Sequence, residues 1–555
     1  MALRLTISPL PSTDVGGRCP RQINSATRSG RPRPTVATRV TRRSLLGCSA
    51  RHASRAASAQ APRGDAALGA QVVDVEPPAQ AVVVLEEAAA EESAWTPSLV
   101  VTTAVVCQAS ILFGFHSGVL NPPLKAIAAD LSLSMVGQSA AVSALVIGGM
   151  SGALGCAPLS DRLGRRIALL TLVLPLTLGT LLSAWATSAG MMVAGRLLCG
   201  LGVGAASVLA PTLLAELSPT KSRGMISLLT RLGYVVGMLA SFALAGYLQS
   251  CSGTLADGVW RTIFLAPLLP VGLLAAGILG GVVPESPTWL VQQGRSAEGA
   301  EVMSRVQAVS PAAAREWAAV EEANMAKGEK KVRWADLLAL EHRQSLTICT
   351  GLAVLHALSG SNMVVFFAAT VFAGAGLGNA AAIATVAVGV ANVVGTCVAA
   401  VLTDRLGRRP LVIASFTAMA ACLCLLMASQ LPPVVASYPA FATAAAVAAV
   451  PIFMVCFASG VGPVVYLLYS ELFAARVRAK GVAFCGAVNW AGVFLLTSTF
   501  LPLYNVLGGS ATFIIYAAIA GAGALFAHAL VPETKGRSLQ DIERQMSEQQ
   551  AVRLA

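Results

Sequence analysis

Asp161-Arg-Leu-Gly-Arg-Arg166 separates two long apolar stretches, and the same six residues return as Asp404-Arg-Leu-Gly-Arg-Arg409. Two further pairs repeat in the same order. Glu216 with Arg223 returns as Glu471 with Arg478, and Pro284-Glu-Ser returns as Pro532-Glu-Thr. The offsets are 243, 255 and 248 residues, so the chain reads as a tandem duplication of one unit. Around these motifs charge is scarce: 344–403, 410–470 and 481–532 contain no Asp, Glu, Lys or Arg. A membrane-spanning helix takes about 20 apolar residues, so each of these stretches holds two.

The whole chain is 55% apolar and 12% charged, against about 25% charged in soluble domains. Twelve apolar segments follow, at 98–120, 135–159, 167–188, 190–214, 225–249, 262–283, 345–373, 379–403, 410–430, 440–469, 481–507 and 511–531. The fold class is therefore an all-α membrane protein: twelve helices in two six-helix pseudo-repeats, embedded in a lipid bilayer. The duplication sets the expected organisation. The halves are 98–284 and 344–532, with a charged central loop of short amphipathic helices at 285–343 (around Trp317 and Trp334) and a tail at 533–555.

The net charge of +12 belongs mostly to the first 65 residues, which hold twelve Arg, no Lys, and only Asp14 and Asp65 as acids. Basicity confined there argues against a nucleic-acid partner. An Arg-, Ser- and Pro-rich leader without an apolar core reads as an organelle transit peptide, not a secretory signal. Plastid is the first choice and mitochondrion the second, with an acidic linker at 66–97 leading into the first segment. The basic loops Arg162/Arg165/Arg166, Lys221/Arg223, Arg405/Arg408/Arg409 and Arg476/Arg478/Lys480 all follow even-numbered segments, which places them on the cytosolic or stromal side. Most of the twelve cysteines lie inside apolar runs. Cys422 and Cys424 lack the spacing of metal ligands, so neither a metal site nor a cofactor is expected.

The repeated loop motif, Pro284-Glu-Ser-Pro-Thr-Trp289, Pro532-Glu-Thr-Lys-Gly536 and Gly462-Pro-Val-Val-Tyr466 with Glu471-Leu-Phe473 resemble the sugar-porter branch of the major facilitator superfamily over about 98–540. Within that branch, Gly114-Phe-His-Ser-Gly118 and Arg476-Val-Arg-Ala-Lys-Gly481 are most similar to plastid-envelope glucose transporters. The resemblance implies alternating access: two halves rock about a central site near the midplane. It also implies a gating set of Asp161, Arg165, Glu216 and Arg223 in one half and Asp404, Arg408, Glu471 and Arg478 in the other. Positive-inside topology alone would not require the two glutamates. The implied location is a plastid inner envelope, ahead of a mitochondrial inner or plasma membrane.

Ionisable residues inside spans are costly and mark function. The resemblance places His116 and Arg196 at a coupling site. His116 stands where proton-coupled relatives carry Asp, which favours facilitative transport over proton symport, although a His can titrate near neutral pH. Arg196 could instead snorkel to the interface. By the same resemblance Asn362, Asn392, Asn489 and Trp490 match sugar contacts, and Tyr466 replaces a Trp. Three positions depart from the pattern. His356-Ala357 stands for a Gln pair, Arg231 for a Gln, and Ala458 for a carboxylate. A cation in the cavity suits an anionic sugar derivative or an organic acid, unless Arg231 snorkels toward Arg223. His528 reads as structural or interfacial. A non-transporting sugar sensor is the alternative from another class. An enzyme is not expected, since neither GxSxG nor HExxH occurs and no acid–base partner accompanies the His–Arg pair.

Overall fold

The computed structural model describes residues 95–219, 222–326, 333–474, 476–537, 541–544 and 546. The transit-peptide segment and most of the acidic linker lie outside the described residues, as does Lys221. Among the described residues every regular element is helical. Eleven helices are long and apolar enough to cross a membrane. In chain order they are span 1 (Pro97–Gly118), span 2 (Met135–Leu163), span 3 (Arg165–Ala184), span 4 (Ala189–Leu217), span 5 (Arg223–Ser252), span 6 (Trp260–Leu279), span 7 (Leu340–Leu377), span 8 (Ala381–Leu406), span 9 (Arg408–Ser429), span 10 (Pro439–Leu472) and Arg478–Leu530.

The last helix has 53 residues and turns at Gly508, whose φ of +81° and ψ of 168° are not helical. Straight, it would measure about 80 Å, more than twice the ~30 Å apolar core of a bilayer. It therefore makes two passes, span 11 before Gly508 and span 12 after it, which gives twelve.

Several helices outrun their apolar segments at the basic end. Span 2 reaches Leu163 and span 4 reaches Leu217, carrying Asp161, Arg162 and Glu216 on helix rather than loop. Hydropathy falls at the first charge, whereas backbone hydrogen bonding continues into the polar headgroup layer.

Gly164 and Gly407 explain the repeated hexapeptide. Their φ, ψ values of +88°, 162° and +94°, 167° lie in a region essentially closed to residues with a side chain. Each ends one span and starts the next without a loop. Span 3 begins at Arg165 and span 9 at Arg408, so their first N–H groups have no helical partner. Glu285 supplies one for span 3, accepting from the N–H of Arg165 at 2.7 Å and of Arg166 at 3.1 Å. Glu533 does the same for Arg408 at 3.0 Å and Arg409 at 3.2 Å. The second arginine of each motif binds the far end of its own half: Arg166 Nη2 donates to the Ile278 carbonyl at 2.7 Å, and Arg409 Nη2 to that of His528 at 2.6 Å.

Between the halves run the α-helices Pro287–Gln292, Ser296–Gln307 and Pro311–Ala326, which contains Trp317. The expected helix around Trp334 is a single 3₁₀ segment, Trp334–Leu338. Trp289 Nε1 donates to the Asp161 carbonyl at 3.0 Å, and Gln307 Nε2 to that of Leu217 at 3.2 Å, so these helices hang on the first half.

Two spans are broken at mid-depth. Span 7 divides at Gly360 (φ +90°) into Arg343–Leu358 and Ser361–Phe372, and span 10 at Gly460 into Pro439–Ser459 and Val461–Leu472. A break inside the bilayer frees backbone groups that need new partners. At Gly460 the Ser415 hydroxyl of span 9 serves both sides, accepting from Val461 N–H at 3.0 Å and donating to the Cys456 carbonyl at 2.7 Å.

The halves meet through span 2 against span 11 and span 5 against span 8. These contacts run from mid-depth toward the end opposite the basic loops. Ser143 Oγ and Thr497 Oγ1 are 3.2 Å apart, and Gly246 lies against Val386. Asn121, just past span 1, closes that end. Its Nδ2 donates to the carbonyls of Val364 (3.2 Å) and Val365 (2.8 Å), and its Oδ1 accepts from Ala369 N–H at 2.9 Å. Toward the basic end the halves part. A Cβ placed on Gly155 of span 2 or Gly486 of span 11 would meet nothing within 4 Å.

Candidate functional site

Where the halves last touch before parting, their side chains form an aromatic and polar cleft. Trp490 of span 11 lies against Gly149 of span 2 so closely that a Cβ there would sit 2.8 Å from the indole. The indole ring is 6.1 Å from Phe113 of span 1, which is 4.7 Å from Tyr234 of span 5. On the other side, His356 packs 5.5 Å from Tyr466 and 5.4 Å from Phe457. Tyr466 is hydrogen-bonded to its neighbours within the bundle yet 46% exposed, so its ring faces an open cleft and not packed protein.

Asn489 organises this wall. Its Nδ2 donates to the Ala353 carbonyl at 3.4 Å, which fixes the amide's orientation, and to His356 Nδ1 at 2.7 Å, while Oδ1 accepts the Tyr466 hydroxyl at 3.2 Å. His356 Nδ1 is then an acceptor, and the ring carries its proton on Nε2. Asn362 sits just past the break in span 7, with Nδ2 donating to the Ala357 carbonyl at 3.2 Å and Oδ1 unengaged among the described residues.

Arg231 reaches this cleft from span 5. Its guanidinium carbon is 5.0 Å from the centre of the Tyr234 ring, one helical turn further from the basic end, so the side chain does not snorkel toward Arg223. Its charge acts across the cleft on both His356 and Tyr466.

The structure thus gathers Arg231, His356, Tyr466, Asn489 and Trp490 around one space, with Asn362 at its edge. Asn392 lies apart, buried at the span 5–span 8 contact, where its Nδ2 faces Met238 Sδ at 3.8 Å. Phe113, Tyr234 and Phe457 join the walls without having been singled out in the sequence. Helical spacing from named residues was the available signal. Tyr234 lies three residues past Arg231, and Phe113 three before His116.

His116 and Arg196 form a separate site inside the first half, at 1% and 0% exposure, so Arg196 does not snorkel. Arg196 Nη2 donates to the His116 backbone carbonyl at 2.8 Å, not to its ring, and both ring nitrogens are buried without a partner.

The remaining sequence-selected residues sit at the basic end in two matching clusters. Arg165 spans Glu216 (Nε at 3.2 Å, Nη2 at 3.3 Å) and Asp161 (3.4 Å). Arg408 spans Glu471 (3.1 Å) and Asp404 (3.8 Å), and Thr534 Oγ1 also donates to Glu471 at 2.6 Å. Every one of these pairs lies within one half. Arg478 Nε donates to the Phe473 carbonyl at 3.2 Å, and Arg223 is exposed, with no ion pair among the described residues. Charge-assisted, part-buried Arg–Glu pairs of this kind are stronger than exposed ones, so each cluster stiffens its own half.

Comparison with known proteins adds four findings. The family model described as "Sugar (and other) transporter" matches residues 101–546. Plastidic glucose transporter 4 of Arabidopsis thaliana is 35% identical over 443 residues, 79% of each chain. The D-xylose transporter of Levilactobacillus brevis is 31% identical over 437 residues, covering 78% of this chain and 92% of that one. Among solved structures, the inward open conformation of the xylose transporter XylE from E. coli superimposes with a TM-score of 0.69 at 24% identity, over 80% of this chain and 99% of that one.

Proposed function

Because the chain belongs to the sugar transporter family of the major facilitator superfamily, we propose that it moves a hexose or related sugar by alternating access, as a uniporter, across a plastid inner envelope membrane. The carrying observation is the cleft itself. Aromatic rings from both halves (Phe113 and Tyr234 opposite Tyr466 and Trp490) suit the apolar faces of a pyranose. The Nε2–H of His356 and the free Oδ1 of Asn362 suit its hydroxyls. The cleft is closed at one end and open at the basic end, as one state of a rocking carrier must be.

The uniport reading rests on Arg196. Its bond to span 1 goes to a backbone carbonyl, which does not take up a proton in the physiological range, so the link between spans 1 and 4 is held at any ambient pH. The plastid location is supported by the plastidic relatives and by the Arg-rich, acid-poor first 65 residues.

Purified protein in liposomes tests this. Radiolabelled glucose or xylose should enter saturably and reach the same level with and without an inward proton gradient. Accumulation driven by the gradient in the wild type would replace uniport by symport, and His116→Asp reports whether a carboxylate at this position installs coupling. Binding without flux would favour a sensor.

A further inference from the structure

Arg231 is a cation in a cleft that offers it no anion. Among the described residues it makes no hydrogen bond and no ion pair, its Nε is buried without a partner, and its one recorded neighbour is the face of Tyr234. No Asp or Glu stands in the interior of any span. The carboxylates near the span ends, Asp161, Glu216, Asp404 and Glu471, lie at the basic end and are paired with Arg165 and Arg408. On the facing wall, His356 accepts at Nδ1 from Asn489 and Tyr466 donates its hydroxyl to the same amide, so neither supplies an anion.

A guanidinium drawn partly out of water and left without a counter-charge is costly, and a single cation–π contact offsets only part of that cost. Proteins keep such a cation where a ligand completes it. Guanidinium is also the side chain best shaped for bidentate binding of a carboxylate or phosphate. Its position fits a substrate group at one end of a sugar. The rings of Phe113, Tyr234 and Trp490 hold the pyranose, His356 and Asn362 take hydroxyls, and the guanidinium lies at the edge nearer the basic end.

We infer that the sugar bound in this cleft carries a negative charge, a carboxylate or a phosphate ester, and that Arg231 is the residue that recognises it. The inference rests on the sugar-transport reading above and narrows its substrate class.

The test uses full-length protein in liposomes with labelled glucose, glucuronate and glucose 6-phosphate. In the wild type, one of the two anionic sugars should be transported and should compete with glucose at concentrations roughly ten- to a hundredfold below unlabelled glucose, the gain expected of a charge-assisted hydrogen bond. Whether glucuronate or glucose 6-phosphate does so tells carboxylate from phosphate. Arg231→Gln should lower the ratio of anionic to neutral uptake by about tenfold or more, with Arg231→Lys intermediate. Glucose uptake that neither anion inhibits overturns the inference and leaves sugar transport standing. An anionic preference that survives Arg231→Gln removes Arg231 from it. If no sugar of either kind moves or binds, both readings fall. The wild-type competition decides the substrate class even where a variant fails to fold.

Discussion

Glu285 accepts the backbone N–H of Arg165 at 2.7 Å from 120 residues away, against a glycine whose Cβ would lie 2.3 Å from the same carboxylate. The first half is thus closed on itself: the segment after span 6 caps the start of span 3. Gly164→Ala should clash with Glu285 and force a strained backbone, and Glu285→Ala should leave two helix-start N–H groups unpaired. Each is expected to cost about 1–3 kcal/mol, read as a lower melting temperature in detergent. Gly407→Ala should behave alike through Glu533. A variant at Gly164 as stable as wild type would contradict this account.

Asn121 makes three hydrogen bonds from the first half to span 7 at the closed end. Asn121→Ala should weaken that closure by about 1–3 kcal/mol and shift the population toward opening there. The measurement is thiol labelling of a cysteine introduced at Asn362. Its rate from the end opposite the basic loops should rise, and its rate from the basic end should fall.

Asn489 holds His356 and Tyr466 in place at once. Asn489→Ala should therefore lower kcat/KM for sugar uptake by roughly ten- to a hundredfold, because the change frees two neighbours as well as removing one amide. Trp490→Ala should act mainly on KM through the lost ring face. Unchanged uptake kinetics in both would remove the cleft from the transport path.

Gly149 leaves room for Trp490 at the last contact between the halves. Gly149→Val should wedge spans 2 and 11 apart while leaving expression intact. Uptake should fall at least tenfold, with Tm lowered by only a few degrees for about 1–2 kcal/mol of overpacking. A Tm collapse with normal residual turnover would show that the glycine serves folding and not the moving interface.

Much of this was legible before any coordinates. The charge-free runs place the spans, and the repeated hexapeptides place the two halves, because both signals are local. The breaks at Gly360 and Gly460 were not legible. Each lies in an apolar run whose hydropathy is unchanged, and the partner that makes the second break tolerable, Ser415, lies 45 residues away in the chain. Arg196 meets the backbone carbonyl of His116 and not its ring. Spacing along two helices brings residues to one level but does not choose which atom faces which. Glu285 and Glu533 were visible as part of a repeated motif. That their partners would be amide groups and not arginine side chains depends on how the last loop of each half folds back.

Among the described residues, the hydrogen bonds that seal the closed end join neutral groups: the amide of Asn121 with three backbone groups, and Ser143 with Thr497. The ion pairs of Arg165 and Arg408 at the basic end stay within their own halves. Unsealing the closed end therefore separates no charges, and salt has nothing there to screen. The step should proceed at the same rate in dilute buffer and in concentrated electrolyte. That one movement keeps its pace as the ionic composition of the surrounding compartment swings.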